Sequence, residues 1–316
     1  MEIINYDKDT KVSKDFPEIK KLGFCSYNHE MTPFVWKGRL MRLELCWGRD
    51  GNEYVVETTH SLIRDVETGE VISRTAYGKC FTSGYLEDDT FYVLATVGSG
   101  PKLCGDTIQL YYTHDLVNWH EQVLFHREGW EFFNTSLTKG DDGYTLLLEV
   151  EHSPEDDPGK TYTAYFAKSP DMVNWQMLPF DTAFPKDMYC GAPYMRFHNG
   201  YYYIFLLLPL PFRRFAHYIF RTKDFSTLEV GLHNPILMPS NEDRRISENG
   251  KKVYRPEDED RLLHGLCSNN CDIDLCEFNG KTYINYLTGN QFGTAGYMCE
   301  AVCDLPIGEF LEGYFQ

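Results

Sequence analysis

The chain has 316 residues, 42% of them hydrophobic and 15% aromatic, enough apolar material for one large core. Its net charge of −17 repels nucleic acid phosphates and anionic membrane surfaces, so neither partner is expected and a neutral or cationic ligand is favoured. No apolar stretch follows Met1, where Glu2-Ile3-Ile4-Asn5-Tyr6-Asp7-Lys8-Asp9 is polar; neither a secretory signal nor a membrane span is expected, and the cytoplasm is the expected compartment.

In chain order, the first element is an apolar strand ending at a glycine turn, Thr32-Pro33-Phe34-Val35-Trp36-Lys37-Gly38. The same signal returns at Tyr85 to Tyr92, Leu137 to Tyr144, Tyr194 to Tyr202 and Asp274 to Tyr283, each a strand, a Gly or Asp turn and a tyrosine-bearing strand. Between these hairpins lies a second repeat, Thr113-His114-Asp115-Leu116-Val117-Asn118-Trp119, then Ser169-Pro170-Asp171-Met172-Val173-Asn174-Trp175, then Thr222-Lys223-Asp224-Phe225-Ser226-Thr227-Leu228. Its aspartates recur roughly every 55 residues, a period suited to β-propeller blades and too long for helical repeats. The Asp suits a turn in which a short side chain bonds nearby backbone, and the Trp four residues later is expected to wedge between blades.

Five hairpins imply five blades. The fold expected is all-β, a five-bladed β-propeller of four-stranded antiparallel sheets, forming a single domain over 1–316. A charged insert near 240–262, from Ser240-Asn241-Glu242-Asp243-Arg244-Arg245 through Pro256 to Arg261, separates the fourth and fifth repeats. Its open roles are a lid over one face, a contact in a homo-oligomer and a solvated surface loop.

The ten cysteines read as reduced core residues. The C-terminal five, Cys267, Cys271, Cys276, Cys299 and Cys303, contain no Cys-x-x-Cys, so no structural zinc is inferred. The chain has no Gly-x-Ser-x-Gly elbow, phosphate-binding glycine loop or His-Glu-x-x-His helix, which argues against hydrolysis by serine, nucleotide chemistry and zinc proteolysis.

Counting back from the five turns gives the positions where each inner strand starts near the central axis: Glu30, Thr82, Thr135, Ala192 and Asp272. Two of the five are carboxylates, and two carboxylates facing one cavity suit general acid and base chemistry, because repulsion and burial spread their pKa values apart. Glu149 follows Leu146-Leu147-Leu148, an apolar run that implies burial, and is the third candidate to line the pocket. The catalytic candidates are therefore Glu30, Asp272 and Glu149. Each has a bland alternative: Glu30 capping a turn, Asp272 bonding backbone amides, Glu149 pairing with an arginine.

Asn134, Asn269, Asn270 and His60 are candidate polar binding groups, and Trp47, Tyr189, Tyr194 and Trp130 candidate stacking surfaces. No organic cofactor is implied. A cation in the channel, held by Asp272 or Asn270 with waters, is the one ion site the pattern leaves open.

The chain resembles the five-bladed β-propeller glycosidases around glycoside hydrolase family 43, which include arabinofuranosidases and β-xylosidases. The resemblance rests on Asp115-Leu116-Val117-Asn118-Trp119, its near-copy at 171–175 and Pro193 to Tyr203, and spans about residues 24–312. It implies an oligosaccharide substrate, and a general base at Glu30, where the family uses Asp. It implies a general acid, a Glu before a Pro, on a later inner strand. Here that segment is Cys190-Gly191-Ala192-Pro193 and lacks the carboxylate, while the pKa-modulating Asp expected in the second blade meets Thr82-Ser83-Gly84.

Three functions follow as expectations. The first is a cytoplasmic, exo-acting glycoside hydrolase using Glu30 with Asp272 or Glu149, inverting if the carboxyls lie about 6.5–9.5 Å apart. The second is a glycoside phosphorylase in which Arg213 and Arg214, or Arg244 and Arg245, hold phosphate. The third is a catalytically inactive sugar-binding propeller.

Overall fold

The computed structural model describes residues 17–50, 53–98, 102–152, 162–180, 182–185, 187–212, 214–290 and 296–316. They form a five-bladed β-propeller of five four-stranded antiparallel sheets, as the repeats imply. The first blade runs His29–Trp36, Arg39–Cys46, His60–Asp65 and Val71–Thr75; the second Cys80–Glu87, Thr90–Thr96, Thr107–Thr113 and His120–His126. The third comprises Glu131–Gly140, Gly143–His152, Thr163–Ser169 and Gln176–Met177, and the fourth Gly191–His198, Tyr201–Leu210, Arg214–Thr222 and Glu229–Val230.

The fifth blade is built from both ends of the chain. Asn269–Phe278, Lys281–Gly289 and Gly296–Cys303 supply three strands, and Lys20–Ser26 adds the fourth by pairing with Gly296–Cys303, Phe24 facing Cys299. Closing the ring this way pairs the edge of Gly296–Cys303 and covers the apolar blade faces that an open stack would expose.

Within each blade the second strand is sandwiched between neighbouring sheets, which is why it reads as a near-continuous apolar run. Leu146, Leu147 and Leu148 are fully buried, as are Tyr203, Ile204, Phe205 and Leu206. The core is thus divided among the blade interfaces. Phe34, Leu43, Phe91 and Leu116 pack between the first and second blades, Leu94, Leu137, Leu148 and Tyr165 between the second and third, and Leu147, Phe166, Ile204 and Phe225 between the third and fourth.

The seam between the first and fifth blades is different, because its centre is charged. Glu44 is fully buried and its carboxylate meets Arg42 Nε at 2.9 Å and Arg64 Nε at 2.8 Å. Asn28 Nδ2 and Ser26 Oγ also donate to it, at 2.6 and 3.1 Å. Arg42 faces Glu300 at 3.7 Å, and Tyr283 donates its hydroxyl to that same carboxylate.

The repeated aspartates do what their spacing implied. Asp115 Oδ1 accepts from the backbone N–H of Val117 and Asn118 at 2.8 and 2.7 Å, and Asp171 does the same for Val173 and Asn174 at 2.9 and 2.8 Å. Each turn drives the next residue, Leu116, Met172 or Phe225, into the left-handed region at φ 64°, 59° and 64°, and its side chain into the core. Trp119 wedges between blades, its indole N–H donating to Ser73 of the first blade at 3.3 Å.

The charged insert packs along the closing strand. Phe24 N–H donates to the Arg245 carbonyl at 2.7 Å and Ser247 N–H to the Phe24 carbonyl at 3.0 Å. Gly23 allows this approach: at φ 98°, an added Cβ would lie 2.3 Å from the Arg245 carbonyl oxygen. Buried Asp243 anchors the insert, accepting from Tyr286 Oη at 2.7 Å and pairing with Lys21 at 2.8 Å. Among the described residues, no helix is long and apolar enough to cross a membrane.

Candidate active site

The first strands of the five blades touch one another in a closed ring around the axis. Each starts with a β-bulge: the ladder slips between His29 and Met31, Cys80 and Ser83, Phe132 and Thr135, Gly191 and Tyr194, and Cys271 and Asp274. A bulge bends the strand and re-aims a side chain. Four bulges hold a non-glycine residue at positive φ: Glu30 at 44°, Phe81 at 48°, Ala192 at 44° and Asp272 at 51°. Such backbone is costly for an L-residue and persists where surrounding structure imposes it.

The bulges also correct the count made from the turns. The residues equivalent to Glu30, Ala192 and Asp272 are Phe81 and Phe133, so Thr82 and Thr135 sit one and two positions further on. The discrepancy arises because the second blade turns at Asp88-Asp89 and the third at Asp141-Asp142, each one residue before the position counted from, and because the third blade's first strand pairs one residue further, to Gly140 and Gly143.

Glu30 and Asp272 line one cavity at the axis, together with Thr82, Asn134, Ala192 and Tyr194. Glu30 Oε2 is buried without a hydrogen-bond partner among the described residues. Burial first, and the charges of Asp272 and Glu149 next, push the Glu30 carboxyl well above the usual carboxylate range. Burial also raises Asp272, to about 6, against a weak opposing bond from the Cys271 thiol. Two buried carboxyls whose charges bear on each other titrate together, and each disfavours ionisation of the other.

Glu149 stands one layer behind the cavity wall instead of emerging into it, at 3% exposure. Its Oε2 accepts from Asn134 Nδ2 at 2.8 Å and from the Ala192 backbone N–H at 3.1 Å. Burial raises its carboxyl to about 8 despite these donors, with Asp272 adding to the rise. Among the described residues it has no arginine partner of the kind its bland alternative required.

Tyr194 and Asp274 belong to the cavity wall: the Tyr194 hydroxyl donates to the Leu275 carbonyl at 2.9 Å, Arg196 bonds that same hydroxyl and carbonyl, and Asp274 accepts from Thr32 Oγ1 at 2.5 Å. Tyr194 is buried and tied down through its hydroxyl, so it is a packed wall residue and not an open stacking surface.

Other candidates lie elsewhere. Asn270 is fully buried against the insert, accepting from Lys21 Nζ at 2.8 Å and donating to Asp243 at 3.2 Å, so it is a structural link. Asn269 Oδ1 accepts from the Phe215 backbone N–H at 2.9 Å, while its Nδ2 is buried without a hydrogen-bond partner among the described residues. His60 bonds the Thr58 carbonyl at 3.1 Å and stacks on Tyr77 at 5.4 Å, away from the cavity. Trp130 is core, packed on Phe132 and Tyr165 at 5.9 and 4.7 Å. Of the arginines considered for phosphate, Arg244 is spent on the carbonyls of Leu262, Leu263 and Gly265, Arg245 faces Glu242, Arg214 bonds the Pro211 carbonyl at 3.4 Å, and Arg213 lies outside the described residues.

Trp47 and Tyr189 belong to a feature that single-residue reading missed. Trp47 contacts Phe81 at 5.5 Å, Phe81 contacts Phe133 at 4.7 Å, and Phe133 contacts Tyr162 at 5.2 Å. Tyr162 continues to Tyr189 at 5.5 Å and Tyr189 to Phe215 at 5.5 Å. Six rings thus form a continuous arc from the first blade to the fourth, passing through the bulge positions of the second and third. Correct counting on the bulges would have put Phe81 and Phe133 beside the two carboxylates.

No protein-family model and no curated protein matches the chain. Its fold is nonetheless shared with solved structures. One, a glycoside hydrolase, has a TM-score of 0.62 at 12% identity over 96% of this chain and 94% of that one. The catalytic domain of a Coprinopsis cinerea GH62 α-L-arabinofuranosidase has a TM-score of 0.60 at 6% identity over 92% and 98%. A GH43_1 enzyme from Xanthomonas citri complexed with xylose has 0.57 at 10% identity over 91% and 90%. The chain therefore carries the five-bladed propeller of the GH43 and GH62 glycoside hydrolases, at a sequence distance where fold is the shared property.

Proposed function

We propose that the protein is a glycoside hydrolase acting from a chain end on oligosaccharides, with Glu30 and Asp272 as its acid/base pair. The observation that carries this reading is two buried carboxyls, Glu30 and Asp272, lining one cavity on bulged strands at the propeller axis. Asp272 is the more readily ionised and takes the role of base, while Glu30, kept neutral by burial and by its neighbours' charge, holds the proton for the leaving group. The resemblance gave Glu30 the opposite role. The assignment here follows from which carboxyl the surroundings leave protonated, and glycoside hydrolysis requires one of each.

The aromatic arc supports a carbohydrate ligand, because ring faces stack on sugar faces. Glu149 is a positioning residue: it orients the Asn134 amide and fixes the start of the fourth inner strand.

The test is release of the aglycone from a panel of nitrophenyl glycosides that includes α-L-arabinofuranoside and β-D-xyloside, with Glu30→Gln and Asp272→Asn as controls. Turnover by wild type that both variants abolish is the expected result. Sugar binding without turnover would instead favour a binding propeller, a reading for which Ala192 at the fourth bulge, in place of a carboxylate, is the supporting observation.

A further inference from the structure

A second cavity opens beside the first, between the outer loops of the first blade and the charged insert. We propose that it binds a small oxyanion, either the carboxylate of an acidic sugar or inorganic phosphate. Its volume of about 430 Å³ is in the range of small-molecule sites. Arg49, Arg64, Arg255 and Arg261 line it, and among the described residues that line it none is acidic, in a chain whose net charge is −17.

The arginines are held in place. Arg49 stacks on Tyr54 at 4.3 Å and donates to its hydroxyl at 3.0 Å, Arg255 stacks on Tyr27 at 4.6 Å, and Arg261 donates to the Gly296 carbonyl. Arg64 is committed to Glu44 and forms the rear wall. Guanidinium groups fixed on aromatic faces keep the planar fork that suits a carboxylate or phosphate.

His29 reports the local field independently. It lines this cavity, and burial, then Arg261 and Arg49, lower it to about 4, so the positive charge of the wall comes from the arginines and the imidazole stays neutral. It also connects the two cavities, since its neighbour along the strand is Glu30. Trp47 lines the second cavity and begins the aromatic arc. A sugar unit next to the one held at Glu30 and Asp272 would therefore lie on the side of the arginines.

The inference rests on the carbohydrate reading for the sugar half of its ligand, and its test separates the two. The full chain would be titrated with glucuronic acid, glucose and inorganic phosphate, followed by Trp fluorescence and calorimetry, in wild type, Arg49→Gln, Arg255→Gln and Glu30→Gln. At least one anion is expected to bind saturably and at least tenfold more tightly than glucose. Binding should weaken tenfold or more in each arginine variant, fall with added salt and persist in Glu30→Gln. Glucuronate binding that phosphate does not displace identifies an acidic sugar; phosphate binding alone identifies inorganic phosphate as a co-substrate.

Arg49 is exposed, so its replacement leaves the core intact. Arg49→Lys, which keeps charge and loses the fork, should fall between wild type and Arg49→Gln. No saturable anion binding, or binding indifferent to both arginine replacements, overturns the proposal. Anion binding without turnover of any glycoside counts against the hydrolase and leaves the oxyanion site standing.

Discussion

The Glu149 carboxylate crosses from the third blade to the fourth, where a single oxygen, Oε2, accepts from Asn134 Nδ2 at 2.8 Å and from the Ala192 backbone N–H at 3.1 Å. Because its folded value near 8 exceeds its ordinary value of 4.5, the protonated form favours folding. The contribution is complete below pH about 4.5 and is lost as pH rises through 8. Glu149→Gln should flatten this decline, a difference on the order of a few kcal/mol, measured as melting temperature against pH. In the assay, Glu149→Gln should raise KM several-fold with kcat within about threefold of wild type. An equal loss in kcat and kcat/KM would move Glu149 from positioning to chemistry.

Glu30→Gln and Asp272→Asn should each lower kcat by roughly 10²–10⁴-fold, the usual contribution of a general acid or base, while unfolding stays cooperative. The wild-type rate should rise through pH about 6, as Asp272 ionises, and fall at higher pH as Glu30 loses its proton. Asp272→Asn should erase the acidic limb.

The buried charges at the ring's closing seam set a different pH limit. Burial would raise Glu44, but Arg42 and Arg64 hold it down to about 2. The stability it confers is present above its ordinary value of 4.5 and is lost as pH falls through 2. Glu44→Ala, which takes from buried Arg42 its closest carboxylate and leaves it Glu300 at 3.7 Å, should cost roughly 3–5 kcal/mol, read by denaturant unfolding at neutral pH.

The aromatic arc predicts a length-dependent effect. Phe133→Ala should weaken binding of a tri- or tetrasaccharide about three- to tenfold, consistent with roughly 0.5–1.5 kcal/mol per aromatic contact. Turnover of a short nitrophenyl glycoside should change little. Equal losses on short and long substrates would remove the arc from the binding surface.

The blade period was legible because the turn at Asp115, Asp171 and Asp224 is a local device, a side chain bonding nearby backbone that leaves the same trace wherever it occurs, and the count was legible because the inner hairpin recurs five times. Glu30 and Asp272 were legible through that phase. Phe81 and Phe133 were not, because a bulge shifts register without changing composition and the turns alone misplace them by one or two residues. Asn270 and Tyr194 were misread for a related reason. Both lie within a few residues of the axis in sequence, but Asn270 is drawn to Asp243 of the insert and Tyr194 down to Leu275, contacts that no periodicity encodes. The arginine-lined cavity was invisible because Arg49 comes from the connection between the second and third strands of the first blade, Arg64 from its third strand, and Arg255 and Arg261 from an insert about two hundred residues away.

Closing the ring with Lys20–Ser26 also orders the events of synthesis. This strand leaves the ribosome first among the described strands, yet its partner, Gly296–Cys303, is the last of them to emerge. Four blades can form during translation, while the fifth waits for that partner. Until then Phe24 and Cys25, both fully buried at the end, stay exposed, and the arginine cavity and the Glu30–Asp272 pair remain unassembled. Activity should therefore arise only once Cys303 has cleared the ribosome, and a nascent chain stalled before residue 296 should carry four folded sheets and no active site.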